Sequence, residues 1–365
     1  MVQTVRFRSA DCRFTEVAML FKKQLIKYGA PGTGKTYTAI RDARAQFEAW
    51  KEKYGKNSKY TFEHNSELVQ FHPSYRYEDF IEGLHPEQDP NGHTLLKLQN
   101  GKFKDFCIKA GKWETDVYNL DKELDWDTLT IAELEAASDI EFQHKEHWQY
   151  IFELEDKNLR VADVVPPFLF ISDEINRTDL ACVFGELIFC LEYRGAKKGQ
   201  IRTKYSHFND AETGMLKVNN YDYSFFIPQN VFIIGTMCIS KSDNGNIDIE
   251  SRRRFDWEEM TPDYAVLKKD LESHNPEWAK LADDLGLLNE AISSEPLLGD
   301  DCCFGHAYLM NLPYAADTPV DDVRQLVWES KLKPILQAYL HGRDDREELI
   351  QRFVAAFSPR IVNIR

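Results

Sequence analysis

Gly29-Ala30-Pro31-Gly32-Thr33-Gly34-Lys35-Thr36 stands between an apolar stretch, Leu25-Ile26-Lys27-Tyr28, and a segment carrying Ala39, Ile40 and Ala43 at helical spacing. Strand, glycine-rich turn, helix is the order in which a backbone wraps closely around phosphate. Glycines let the loop's N–H groups point inward, and the helix that follows offers its N-terminus to negative charge. Within the pattern Gly29-x-x-x-x-Gly34-Lys35-Thr36, Lys35 is spaced to reach the β- and γ-phosphates and the Thr36 hydroxyl to ligate Mg²⁺. The expected nucleotide-binding residues are therefore Gly29, Ala30, Pro31, Gly32, Thr33, Gly34, Lys35, Thr36 and Tyr37.

Two further segments read as strong strands, Phe168-Leu169-Phe170-Ile171-Ser172-Asp173-Glu174 after Pro166-Pro167, and Val231-Phe232-Ile233-Ile234-Gly235-Thr236. Both are continuous apolar runs, as expected of a parallel sheet covered by helices on both faces. Glu67 to His72 reads as another buried strand, and Asp179 to Tyr193 as one helix with a Leu180, Val183, Phe184, Leu187, Ile188, Leu191 stripe. The predicted organisation is α/β: a short lead-in over 1–24, a sheet domain over 25–260, and a helical lid over 261–365. The lid helices are expected over Tyr264–Leu288 and Val320–Leu340. Residues 102–163 form an acidic, Trp-containing insertion, and Lys197 to Ser224 a polar hairpin turning at Lys197-Lys198-Gly199-Gln200.

The acidic pair at the end of the Phe168 strand carries the chemistry. Strand direction puts it at the C-terminal edge of the sheet, beside the phosphate loop, where Asp173 would hold Mg²⁺ and Glu174 would polarise an attacking water. Alone, such a pair more often caps a helix. Together with the loop upstream and Ile175-Asn176-Arg177 downstream, the catalytic reading is the better one. Farther along, Asp248-Ile249-Glu250-Ser251-Arg252-Arg253-Arg254-Phe255 ends in three consecutive arginines. A neighbouring subunit's γ-phosphate would meet that charge, with Arg252 or Arg253 acting as an arginine finger in trans.

A family resemblance follows from the ensemble. Phe71-His72-Pro73-Ser74-Tyr75-Arg76-Tyr77-Glu78-Asp79-Phe80-Ile81-Glu82-Gly83-Leu84 resembles the second-strand signature of the McrB family of AAA+ P-loop NTPases. So do Asp173-Glu174-Ile175-Asn176-Arg177 with Phe184-Gly185-Glu186-Leu187, Gly235-Thr236-Met237, and Arg252-Arg253-Arg254-Phe255. In the tail, Phe304-Gly305-His306-Ala307-Tyr308-Leu309-Met310, Trp328 and Pro334-Ile335-Leu336-Gln337-Ala338-Tyr339-Leu340 extend the likeness over about Tyr28 to Leu340. The resemblance implies an AAA+ sheet sandwiched by helices with a C-terminal helical lid. It also implies a ring, usually a hexamer, that binds and hydrolyses GTP when joined by a McrC-like nuclease and acts on DNA through that complex. Carried onto this sequence, Gly34, Lys35 and Thr36 bind phosphate and metal, Asp173 metal, Glu174 the water, and Arg252 or Arg253 the neighbour's nucleotide. Tyr75 to Phe80 is read as packing on the core and His306 as a packed lid histidine; a subunit interface and nucleotide contact are the respective alternatives.

Two departures qualify the expectation. Family members usually carry an N-terminal DNA-recognition domain, whereas 28 residues precede the loop here, so target recognition is expected to reside elsewhere or to be missing. The family also has Asn after Gly-Thr-Met, in a segment tied to nucleotide use, where this chain reads Cys238-Ile239-Ser240-Lys241-Ser242-Asp243. A thiol is a poor substitute for an amide in orienting water. Hydrolysis is then slow, partner-dependent, or served by Ser240 or Asp243, and preference for GTP over ATP is less firmly specified.

Composition narrows the rest. With 43% hydrophobic and 29% charged residues the chain reads as globular, and no apolar run has the ~20 residues that span a bilayer. No signal pattern opens the sequence and the seven cysteines form no paired framework, so a cytoplasmic protein with reduced thiols is expected. A net charge of -15 reads either as a solubility feature or as an argument against autonomous grip on a long DNA footprint that leaves DNA to another domain or a partner complex. Two other readings stay open: an ATP-dependent protein remodeller resembling the MoxR group, and a nucleotide-gated assembly module that barely hydrolyses because of Cys238.

Overall fold

The computed structural model describes residues 22–88, 92–137, 144–219, 222–238 and 249–358. The first half of the chain runs through β1 (Gln24–Gly29), α1 (Lys35–Lys53), β2 (Ser66–Gln70), β3 (Glu82–Gln88) and β4 (Thr94–Asn100). Helices α2 (Lys102–Ala110), α3 (Lys112–Leu120), α4 (Ile131–Ala137) and α5 (Lys145–Phe152) lead to β5 (Phe168–Asp173). Then come α6 (Leu180–Phe184), α7 (Leu187–Glu192), β6 (Val231–Cys238) and β7 (Asp256–Glu259). The tail is helical: α8 (Tyr264–His274), α9 (Lys280–Ser293), α10 (Val320–Val327), α11 (Lys333–Tyr339) and α12 (Arg346–Phe357). No helix among the described residues is long and apolar enough to cross a membrane.

Five strands form one sheet in the order β2-β5-β6-β1-β7, every pair parallel. Such pairing requires crossovers and covered faces, which explains why β5 is apolar without alternation. Helix α1 packs against β1, β5 and β6, and α2 sets Phe103 and Phe106 against Phe170 and Phe168 of β5. This is an AAA+ α/β fold with a C-terminal helical lid. The side chains of Phe71, Tyr75, Phe80, Phe103, Phe170 and Phe184 form one aromatic cluster, with Phe80 and Phe103 stacked at 4.6 Å. Each Phe buried here contributes about 1.5–3 kcal/mol of transfer free energy, enough to fix the Phe71–Phe80 segment on the sheet.

The described residues of the 102–163 segment share that core, through Trp113, Trp126, Leu134 and Trp148. A second apolar cluster joins Leu267, Trp278, Leu285, Trp328, Leu336 and Phe353 of the tail. Four stretches differ from the sequence expectation. The helix expected over Asp179–Tyr193 is two, broken at Gly185, whose φ of +50° no helix continues. The helix expected over Tyr264–Leu288 ends at His274, where Asn275 caps a separate turn begun by Pro276, and α9 follows. The run expected over Val320–Leu340 is split by a wide turn over Trp328–Leu332, ahead of Pro334. In the 197–224 region Gly195–Lys198 is a helical turn, and the antiparallel pairing falls later, between Leu216–Lys217 and Tyr223–Ser224.

Candidate active site

Parallel register brings the chemistry to one edge. Gly29 ends β1 beside Cys238 of β6, and Asp173 ends β5 beside Gln70 of β2, so phosphate loop, acidic pair and β6 terminus share the C-terminal edge of the sheet. Gly32 and Gly34 take φ of +77° and +78°, a conformation that costs a side-chain-bearing residue about 1–2 kcal/mol. Gly34 caps α1 with no side-chain bond to the first turn and no acid within it, leaving that helix end to a ligand. The Lys35 ammonium donates to the Gly29 carbonyl at 3.0 Å and the Ala30 carbonyl at 2.8 Å, folded back on its own loop. Thr33 Oγ1 donates to Ala30 O at 2.9 Å and stiffens the same turn. The Tyr37 side chain is 72% exposed.

Asp173 is the junction. Its Oδ1 accepts from Thr36 Oγ1 and from Thr236 Oγ1, each at 2.6 Å. Thr236 was not among the expected site residues, although its place at the end of the neighbouring strand was the signal for it. The same hydroxyl accepts the Glu174 N–H at 3.2 Å. Glu174 lies in the left-handed region at φ +54° and ψ +47°, sparsely populated for a residue with a side chain. There its carboxylate receives Arg177 Nε at 3.2 Å on one oxygen and the Cys238 thiol at 3.4 Å on the other. Burial raises the Cys238 pKa; Lys35 opposes the shift and Glu174 adds to it, so the thiol is neutral near pH 7. The backbone carbonyl of Cys238 accepts from Asn176 Nδ2 at 3.1 Å. Ser240 and Asp243 lie outside the described residues.

A hydroxyl and a carboxylate sharing a hydrogen bond are hard oxygen donors, the set that suits Mg²⁺. No cluster of three or more His, Cys, Asp or Glu among the described residues could hold a metal alone. Thr36 and Asp173 would suit a Mg²⁺ completed by water and phosphate, the ligands that ion prefers.

The arginines sit elsewhere. Strand β7 starts level with Leu25, and the helical turn Ile249–Arg252 and Arg253 precede it, at the edge opposite the loop. The length of β1 separates them from Gly29, roughly 17 Å at the usual rise per residue. Arg253 is exposed and lies 3.7 Å from Glu192, while the Arg252 guanidinium rests 5.7 Å over the Trp257 ring. The structure thus brings Lys35, Thr36, Asp173, Glu174 and Cys238 together and keeps Arg252 and Arg253 away from this chain's own loop.

The lid reaches the loop through the segment around His306, which the sequence reading took as a packed lid histidine with nucleotide contact as the alternative. The N–H groups of Gly305 and Ala307 donate to the carbonyls of Pro31 at 2.8 Å and Gly32 at 3.0 Å. The Tyr308 ring covers Gly32 so closely that a Cβ there would lie 2.8 Å from it, and a side chain on Gly305 would collide with the Gly32 backbone. Between them, His306 Nδ1 accepts the Asp263 N–H at 3.1 Å. Burial lowers the His306 pKa, partly offset by the Asp263 carboxylate. A cleft of about 410 Å³ opens beside Gly29 and Ala30, lined by Glu259, Tyr264, Glu290, Asp300 and Asp301.

Two comparisons with known proteins bear on this arrangement. Residues 280–348 match the family model described as McrB, alpha-helical lid domain. Over 299 residues the chain is 27% identical to the Type IV methyl-directed restriction enzyme EcoKMcrB subunit of Escherichia coli (strain K12). That alignment covers 80% of this chain and 48% of the relative, so the chain spans about half the length of the curated protein it matches. The relative's likeness runs through the sheet as well as the lid, and the lid match includes the segment that grips the phosphate loop. With the AAA+ sheet and its helical lid, these two matches support assignment of the chain to the McrB family.

Proposed function

We propose that the chain is a nucleoside-triphosphate-hydrolysing ring motor, with GTP favoured over ATP, that drives a McrC-like nuclease in DNA restriction and antiviral defence. The observation that carries the proposal is the Asp173 junction, where one carboxylate oxygen takes hydroxyls from both Thr36 and Thr236 beside Glu174. The loop from Gly29 to Tyr37 wraps the phosphates and Lys35 turns from the Gly29 and Ala30 carbonyls to the β- and γ-phosphates. Glu174 accepts the proton of a water as its oxygen attacks the γ-phosphorus and the bond to the β-phosphate oxygen breaks. Thr36 and Asp173 would hold a Mg²⁺, which would neutralise phosphate charge. Arg252 or Arg253 of a neighbouring copy meets the γ-phosphate, a role their distance from their own loop supports.

The acid-lined cleft supports guanine over adenine. Carboxylates accept hydrogen bonds only, and guanine presents both a ring N–H and an amino group on one edge, against the single amino donor of adenine. With a net charge of -15, DNA is held through the partner complex. A second reading draws on the thiol at Cys238: a nucleotide-gated assembly module with weak hydrolysis.

The test is GTP and ATP turnover by the purified chain, with and without its candidate nuclease subunit, alongside its mass in solution. GTP turnover that rises with the partner in a ring-sized assembly is the expected result. Partner-independent ATP turnover would overturn it, and binding without turnover in any combination would favour the gated module.

A further inference from the structure

We infer that His306 is a phosphate ligand supplied by the lid, its Nε2–H donating to the polyphosphate of the bound nucleotide. The inference rests on the nucleotide reading above and adds to it a residue outside the loop and the acidic strand. Because Nδ1 accepts the Asp263 N–H, the proton of the neutral ring is on Nε2. That nitrogen faces the loop: a Cβ built on Gly34 would lie 3.4 Å from it. Among the described residues no acceptor meets Nε2, although the ring is half-buried. A donor without a protein acceptor, fixed in direction by the Asp263 N–H and set against a loop built for phosphate, is placed to donate to the ligand that loop receives.

The ring is also held in place from both sides. Gly305 and Ala307, its two chain neighbours, donate to Pro31 and Gly32, so the imidazole has little freedom to turn away. Through Asp263, the first capping residue of α8, the same ring is tied to the connection between sheet and lid. Phosphate occupancy is thereby coupled to the position of the lid.

The experiment is calorimetric titration of the full chain with GTPγS and ATPγS, comparing His306→Phe and His306→Gln, with melting temperatures recorded for each. Phe keeps a ring against Gly34 and removes the donor, whereas Gln restores an N–H donor and loses the ring. A hydrogen bond to charged phosphate leads to a loss of about tenfold or more in affinity for His306→Phe and recovery of most of it in His306→Gln. Packing alone gives the reverse order, so His306→Phe binding as tightly as the unaltered chain, or more tightly than His306→Gln, overturns the inference. If the unaltered chain binds neither analogue, or Lys35→Ala binds both equally well, the nucleotide reading itself falls.

Discussion

Thr236 Oγ1 donates to Asp173 Oδ1 at 2.6 Å, which joins the ends of β5 and β6 through one hydroxyl. The same oxygen accepts the Glu174 N–H, so it fixes both acids at once. Thr236→Val keeps the shape and removes the hydroxyl. It leaves a partly buried N–H without its acceptor, which costs about 1–3 kcal/mol and lowers the melting temperature by several degrees. Turnover falls by about tenfold or more while triphosphate affinity stays within about threefold, since the loop is untouched. Steady-state kinetics with a binding isotherm checks this, and unchanged turnover would remove Thr236 from the site.

Glu174→Gln isolates the base. The amide fills the same space at the strand end and cannot take a proton, so binding persists and hydrolysis drops by about 10²-fold or more. Full activity in this variant, measured by phosphate release, would assign the water-activating role to another group.

Cys238→Asn tests the β6 terminus. The thiol donates weakly to Glu174 at 3.4 Å, whereas an amide at that point can hold Glu174 and a water together. Turnover several-fold above the unaltered chain is expected, at unchanged affinity. Equal turnover would mean that the thiol does not limit catalysis.

How much of this was legible in the sequence follows from where the determinants lie. The phosphate loop, β5 and β6 were readable because each is a local pattern: glycines at fixed spacing, or an apolar run too long for a one-faced strand. The break at Gly185 was not, since the Leu180–Leu191 stripe keeps its period across a glycine whose left-handed φ only the fold reveals. The grip of Gly305 and Ala307 on Pro31 and Gly32 was also hidden, because backbone bonds between segments some 270 positions apart leave no periodic trace. Thr236 was quoted as a strand end, and only its register beside Asp173 turned it into a site residue.

His147 sets a pH limit on the first core. Its Nδ1 lies 2.5 Å from the Tyr60 hydroxyl, and its pKa is lowered to about 4 by burial and by Lys112, with Lys59 and His144 adding to the shift and Glu146 opposing it. An unfolded histidine takes its proton near 6.5, so between pH 6.5 and 4 the unfolded chain binds more protons than the folded one. The contribution to stability is full above pH 6.5 and is lost as pH falls towards 4. Denaturant unfolding at pH 7 and pH 5 should show a smaller loss in His147→Phe than in the unaltered chain. Equal losses would place the acid sensitivity in other groups.

The position of Arg253 permits a test of assembly that needs no structure of the ring. Arg253 stands at the edge of the sheet away from its own loop, so under the proposed ring reading it would serve a neighbour and the catalytic unit would span two copies. Arg253→Ala should then bind nucleotide as well as the unaltered chain and hydrolyse it poorly, and Glu174→Gln should behave alike. Mixed before assembly, the two inactive variants regain part of the lost turnover. At those interfaces an intact Glu174 from one copy faces an intact Arg253 from the other. The exposed Arg253 is the better choice than Arg252, whose contact with Trp257 would confuse loss of catalysis with loss of packing. Recovery in the mixture, read as phosphate release against the sum of the separate variants, requires action in trans. A mixture no more active than its parts would return both arginines to a structural role at the end of that helical turn.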